Sequence, residues 1–339
     1  MAINTTQAYQ EVMSLALEDR SSGYQDLVSN SNALLAVLRD KGLWQTYSGP
    51  TIRERLLYAK TGSGVWYNGY DFLNPIPTEL FNDAVWTPKM VAVAVVLSNE
   101  EILNNSGSNQ LKDVMAAHID AAENELQDVM DVALQGDGTD FGGKTLGGLK
   151  LAIPTSVSSG SYGGIARSNT IWRTSAFDAN SFATDIGTQV TKDTIRPMLN
   201  RIMTQRSRGK RGADLLLMSA EHYAAYDAAT VAIQRINDET SLGKLGFQSL
   251  KYFGAGRTAQ IVQDGGIGSN MPSNTTYGID TENLRIRYHP DRNFDKLFRG
   301  AGMTPINQDA VVQYIGFMGE LTMTNPLHQW KLYDSNPAA

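Results

Sequence analysis

The stretch Asn109-Gln-Leu-Lys-Asp-Val-Met-Ala-Ala-His-Ile-Asp-Ala-Ala-Glu-Asn-Glu-Leu-Gln-Asp-Val-Met-Asp-Val-Ala-Leu-Gln135 decides the fold, because it is the one long and unambiguous helical pattern in the chain. Leu111, Val114, Met115, Ile119, Ala122, Leu126, Val129, Met130 and Ala133 recur at steps of three and four residues, the spacing of a single helical face. At 1.5 Å per residue the helix spans roughly 40 Å. Asp113, Asp120, Glu123, Glu125, Asp128 and Asp131 fill much of the remainder against Lys112. One face is therefore oily and the outer face acidic, and Gly136 supplies a C-terminal stop.

On the N-terminal side, Pro88 precedes the β-branched run Met90-Val-Ala-Val-Ala-Val-Val-Leu97, which reads as a buried strand. Ser98-Asn-Glu-Glu101 fits a capping box for a short helix to Leu103. Earlier still, Thr51 to Lys60, the turn Thr61-Gly-Ser-Gly64 and the aromatic run Val65-Trp-Tyr-Asn-Gly-Tyr-Asp-Phe72 predict a β-hairpin. Even-numbered positions put Ile52, Leu56 and Tyr58 on one face with Trp66, Tyr70 and Phe72, leaving Arg53 and Arg55 on the other. A two-stranded ribbon is marginal in water, so this one needs a support, either another subunit or its own domain. Residues 1–42 read as an arm, with short helical patterns at Gln7–Leu17 and Ser31–Leu38 around a polar stretch, Asp19–Asn30.

Beyond the long helix, Gln135 to Ala176 is rich in Gly, Ser and Thr and reads as one long loop, a kind of segment that is usually functional or ordered by a partner. Asn180 to Arg206 reads as a helix with Pro197 inside or splitting it. Ala213–Met218 is a buried strand, with Ser219 capping a helix through Tyr226. Short strands follow at Phe247–Tyr252, Thr258–Val262, Thr276–Ile279 and Leu284–Tyr288, and an unusually long one at Ala310–Met323. No internal repeat is visible. The segment 178–305 alternates helices and strands, as an insertion between two parts of one elongated domain would.

Composition narrows the function. With 29 Lys and Arg against 35 Asp and Glu the net charge is 29 − 35 = −6, whereas proteins that grip nucleic acid by counterion release carry a basic domain or stripe. The basic run Arg196, Arg201, Arg206, Arg208, Lys210 and Arg211 is the local exception. It is suited either to phosphate or to an acidic neighbour such as the long helix, and equally to a solvated helix end. No cysteine is present, which removes disulfides, thiolate metal sites and cysteine nucleophiles together. No apolar run is long enough to span a bilayer, so the chain reads as soluble, and no secretory leader is visible at its start. Of 339 residues 42% are hydrophobic, enough for a sizeable core.

Several short motifs match functional patterns in part. Gly138-Thr-Asp-Phe-Gly-Gly143-Lys144-Thr145 satisfies the letters of the phosphate-binding loop, yet that loop needs a strand before it and a helix after it. Here a helix precedes, and a proline soon follows. Gly254-Ala-Gly256-Arg-Thr-Ala259 matches the dinucleotide fingerprint in letters alone and predicts a tight turn. Asp291-Arg-Asn293-Phe-Asp295 opens like a calcium loop, but Lys296 and Gly302 stand where Gly and Glu are needed. His118, His222, His289 and His328 show no metal-ligand spacing. The residues therefore nominate no catalytic, cofactor-binding or metal-binding side chain.

Taken in order, the arm, hairpin, long helix, inserted α/β region and final long strand resemble the major capsid protein of tailed bacteriophages, of the siphophage type, whose fold is shared with encapsulin shells. The C-terminal half carries the closest similarity: Asp214-Leu-Leu-Leu-Met-Ser219, His222-Tyr223, Tyr226, Gln234-Arg235, Tyr277-Gly278, His289-Pro-Asp-Arg-Asn-Phe294, Asn307-Gln-Asp-Ala310 and Gly319-Glu-Leu-Thr322. The resemblance implies an α+β fold with an N-terminal arm (1–43), an extended loop (44–76), a peripheral domain (77–177 and 306–339) with its spine helix at 109–135, and an axial domain (178–305). It also implies pentamers and hexamers closing into an icosahedral shell, without a catalytic site, around double-stranded DNA that is enclosed rather than read by sequence. The shell would assemble in the host cytoplasm, mature from a procapsid and end in the virion, without a membrane. The early hairpin leaves no room for a fused scaffold, which implies a separate scaffolding protein beside a portal and decoration proteins. Lys60 lies near the hairpin tip, where some relatives cross-link Lys to Asn, but no Asn partner or catalytic Glu is identifiable, so it reads as a charged tip. A cellular nanocompartment shell is the alternative within this architecture. A nucleotide-binding enzyme using Gly138–Thr145 is the alternative outside it.

Overall fold

The protein is described by a computed structural model over residues 33–57, 64–72, 80–100, 108–209, 211–230, 249–264, 270–297 and 309–337. The expected helix at Gln7–Leu17, the turn Thr61–Ser63, Lys60, the end of the helix after Ser98 and Gln234-Arg235 lie outside them.

Leu34 to Leu38 are all buried in α1 (Ala33–Asp40), the first of the described helices, so this part of the expected arm belongs to the core. β1 (Trp44–Thr46) follows, then the ribbon strands β2 (Ile52–Leu57) and β3 (Phe81–Trp86). β4 (Lys89–Ser98) leads to the long helix α2 (Ser108–Gln135), one residue longer at its start than the periodicity predicts. Ile119, Ala122, Leu126, Met130 and Ala133 are buried, and so are Val93, Val95 and Leu97 of β4 beneath the helix. Met90, Ala92, Ala94 and Val96 lie open on the other face, Met90 at 60% exposure. The strand is thus covered on one face only, where its unbroken apolar run predicts two.

The Gly-rich segment after α2 differs from expectation in the opposite sense, being packed where a long loop is predicted. Leu146, Leu149, Ile153, Tyr162, Ile165 and Trp172 are buried in it, and β5 (Ser161–Tyr162) pairs with β6 (Ile165–Ala166). Arg167, itself 2% exposed, donates to the Leu151 and Ala152 carbonyls. These scattered apolar residues have no periodicity, yet together they fasten the segment to its own body.

Two sheets organise the rest. β12 (Leu284–Lys296) and β13 (Ala310–Met323) lie between β1 and β4 in a four-stranded sheet, order β1-β12-β13-β4. The six-stranded sheet combines β7 (Ser175–Asp178), β8 (Leu215–Met218), β9 (Ser249–Gly254), β10 (Arg257–Gln263), β11 (Thr275–Ile279) and β14 (Trp330–Tyr333) in the order β7-β14-β11-β8-β10-β9. Both its faces are covered: Leu216 and Met218 join the residues of α3 (Ile195–Arg206) and α4 (Ala220–Thr230), while Leu215 and Leu217 join the core that includes α2. Burial on both faces explains the continuous apolar run. α3 begins at Ile195 and not near Asn180, because Pro197 lacks an N–H and fits only in a first helical turn. Pairing also moves two expected segment boundaries. β12, read within 178–305, joins β13, and β14, read with 306–339, sits between β7 and β11 in the six-stranded sheet.

Candidate functional site

The expected hairpin exists with a different second strand. β2 pairs antiparallel with β3, placing Ile52 opposite Trp86 and Leu57 opposite Phe81. Residues 65–72, read as its second strand, form none. The base of the ribbon rests on its own body. Trp86 meets the Tyr162 ring edge-on at 5.7 Å, the Val85 N–H donates to the Gly163 carbonyl at 2.9 Å, and Arg287 pairs with Glu54. The far segment has no such cover: Trp66, Tyr70 and Phe72 are fully exposed, with Val65 and Tyr67 above 60%. Its own body holds the base, and among the described residues none covers these aromatics. Large apolar side chains exposed together in one short segment are a candidate interaction surface.

A second apolar surface lies on β4 and beside α2. A groove of about 380 Å³ is lined by Met90, Ala92, Val129, Met130 and Phe141, with Lys89 and Lys144 also in its wall. Asp120, Glu125 and Asp128 are exposed on α2, in line with the acidic outer face.

The Gly138–Thr145 stretch is the turn leaving α2. Phe141 and Gly142 adopt left-handed backbone at φ 51° and 71°, and the N–H groups of Gly143 and Lys144 are spent on the Thr139 and Asp140 carbonyls. Lys89 Nζ donates to the Gly143 carbonyl at 2.5 Å. A phosphate cradle requires amides that converge on the anion, and those of Gly143 and Lys144 are already used within the turn. Gly254–Ala259 contains a two-residue hairpin turn between β9 and β10, Ala255 and Gly256, at φ 51° and 70°, the geometry favoured in tight hairpins. Asp291–Asp295 lies in β12, where its pairing with β13 shifts register.

The histidines lie apart in different surroundings. His222 is buried, its Nδ1 is 2.8 Å from Thr276 Oγ1, and burial lowers its pKa to about 4. His328 Nδ1 meets the Arg206 carbonyl, and His289 packs edge-on against Tyr47. Among the described residues no group of three or more His, Asp or Glu is placed to hold a metal ion. No described helix is long and apolar enough to cross a membrane.

The basic run is partly engaged: Arg201 pairs with Asp185 at 2.7 Å, and Arg206 covers the Phe177 ring. Arg257 joins it by donating to the Gly209 and Arg211 carbonyls. Forty-six residues separate Arg257 from Arg211, so local charge counting does not find it.

No protein-family model and no curated protein sequence matches the chain. Among solved structures it is similar to a subunit of the cyanophage A-1(L) capsid asymmetric unit, with a TM-score of 0.56 and 15% identity over 87% of this chain and 92% of that one. It is similar also to the capsid of a native GTA particle, at 0.55 and 11% identity over 88% and 89% of the two chains. The capsid of an empty GTA particle gives 0.50 at 13% identity, over 88% and 89%. The likeness runs through nearly the whole length of both chains, and this protein therefore has the phage major capsid fold, α+β with a long spine helix beside a sheet of long strands.

Proposed function

We propose that the chain is a major capsid protein whose copies form pentamers and hexamers of an icosahedral shell around double-stranded DNA, with no catalytic role. The observation that carries this is the exposed aromatic segment 65–72 on a ribbon whose base is fixed to its own body. A neighbouring copy supplies the cover these side chains lack, and weak contacts repeated through every copy accumulate into a stable assembly. In this reading the ribbon is the extended loop, the four-stranded sheet with α2 is the peripheral domain, and the six-stranded sheet with α3 and α4 is the axial domain. The net charge of −6 suits a container that encloses DNA without gripping it. A separate scaffolding protein, a portal and decoration proteins complete the proposed assembly in the host cytoplasm.

Negative-stain microscopy of the purified protein, alone and coexpressed with its neighbouring genes, tests the reading. Closed particles tens of nanometres across support it. A persistent monomer that binds a nucleotide overturns it. A cargo-enzyme gene beside this one, in place of portal and terminase genes, points instead to a cellular nanocompartment shell.

A further inference from the structure

The C-terminal end of α2 meets the end of β10 through a buried polar contact between residues 129 positions apart. Gln135 Nε2 donates to Asp264 Oδ2 at 2.6 Å, with Gln135 only 3% and Asp264 9% exposed. One helical turn before Gln135, Asp131 is the charged group acting on Asp264, and it accepts from the Asn270 side chain at 2.9 Å and from the Asn270 N–H at 3.4 Å. From the six-stranded sheet, the Met218 carbonyl accepts the Asp264 N–H at 2.9 Å. The residues after Asp264, Gly265-Gly-Ile-Gly-Ser269, contain no titratable side chain. The Asp264 carboxyl thus sits at a buried joint, with the Gln135 amide on its oxygen and the Asp131 carboxylate nearby.

One atom in the joint is left over. Gln135 Oε1 is buried without a hydrogen-bond partner, a situation that costs free energy in a folded protein. The two ends of a glutamine amide differ little in shape, and the hydrogen-bond network decides which is which. Turned by half a rotation, the Gln135 amide presents Oε1 to Asp264. A carboxylate there has nothing to donate, and a carboxylic acid has a hydroxyl.

We propose that Asp264, Gln135 and Asp131 form a proton-dependent latch between the long helix and the six-stranded sheet, closed when Asp264 carries a proton and loosened when it is ionised. In the closed state the Asp264 hydroxyl donates to Gln135 Oε1, and the carboxyl next to Asp131 is neutral. In the open state two carboxylates face each other in a site with little water. Burial first, and the Asp131 charge second, raise the Asp264 pKa from 3.8 to about 7. That places the change near neutral pH. The latch lies where the spine helix hands over to the other sheet, so its state governs how firmly the two move together.

Hydrogen exchange of the unassembled full chain, read on peptides covering Leu126–Gly136 and corrected for the intrinsic pH dependence of exchange, tests this. A folded-state pKa above the unfolded one means the folded latch keeps a proton that the opened joint releases. The opening equilibrium then rises with pH, approaching tenfold per unit between about pH 5 and pH 7, and levels off above about 7. Asp264→Asn flattens that rise. Asp131→Asn, which keeps an acceptor for Asn270 at the margin of the site, moves the levelling-off to lower pH and serves even if the first variant folds poorly. A parent whose protection does not change between pH 5 and 7, an Asp264→Asn variant that retains the slope, or an Asp131→Asn variant that levels off at the parent's pH overturns the proposal.

Discussion

The backbone N–H of Gly147 donates to Glu320 Oε1 at 2.7 Å, joining the loop after the long helix to the C-terminal part of β13 across 173 residues. Glu320 is 4% exposed. Its burial raises the pKa from 4.5 to about 8, against the lowering effect of the Gly147 N–H and of Lys89. Burial outweighs the backbone donors Gly147 and Leu321, so the carboxyl is more stable as the neutral acid.

Because the folded-state pKa is above the unfolded one, the folded chain holds a proton that the unfolded chain has lost between about pH 4.5 and 8. This contribution to stability is complete at low pH and is lost as pH rises through about 8. Glu320→Gln keeps the acceptor for Gly147 and removes the titration. Thermal unfolding at pH 5 and pH 9 reads the difference: the parent is expected to lose more of its Tm than the variant, by a few degrees. Equal losses would mean that Glu320 does not titrate in this range.

Gly148 closes the same junction by close approach of backbone to backbone. A Cβ there would sit 2.2 Å from the Leu134 carbonyl oxygen and 2.4 Å from that of Ala133, and neither can step aside without unwinding the last turn of α2. Gly148→Ala is expected to destabilise by about 3 kcal/mol or more. Gly69→Ala, with nothing within 4 Å of the added carbon, is expected to stay within about 0.5 kcal/mol. Urea unfolding of both variants checks the contrast.

Trp66, Tyr70 and Phe72 are fully exposed, so replacing all three with Ser leaves the core untouched. The triple variant is expected to keep the parent's Tm and circular dichroism while yielding monomers or capsomers in sedimentation velocity. Shells of normal size from this variant would defeat the assembly role. Substitution is more informative than deletion of the ribbon, because deletion also removes Ile52 and Leu56 from the core.

The turn at Gly138–Thr145 offers a direct check on the enzyme alternative. With the Gly143 and Lys144 amides engaged inside the turn, titration of ATP into the parent is expected to show no saturable heat in calorimetry. Saturable binding abolished by Lys144→Ala would restore the nucleotide reading.

Several elements were legible because their signal is local. The strand Ala310–Met323 appears with the predicted bounds, and the turn at Ala255-Gly256 follows from its two small residues. The hairpin partner was not legible. The run Val65–Phe72 has stronger β-formers than Phe81–Trp86, yet the latter pairs with β2, because Trp86 and Ala84 can be buried against Tyr162 and Gly163. The assembly surface was half legible: the aromatic letters were visible, while their exposure depends on where the ribbon's base is held. The contact between Gln135 and Asp264 was hidden altogether, since no spacing rule connects residues 129 positions apart.

By itself the amino-acid sequence determined the long amphipathic helix, the apolar strands, the breaks at Gly and Pro, and a charge balance unsuited to gripping nucleic acid. Each of these follows from residue types within a few turns or strand steps of one another. Tertiary structure alone decided that Leu34–Leu38 lie in the core, that β12 and β14 belong to different sheets, and which carboxyls are buried. Partner choice among strands, and the surroundings of an ionisable group, are set by burial between segments far apart in the chain, where local periodicity carries no information.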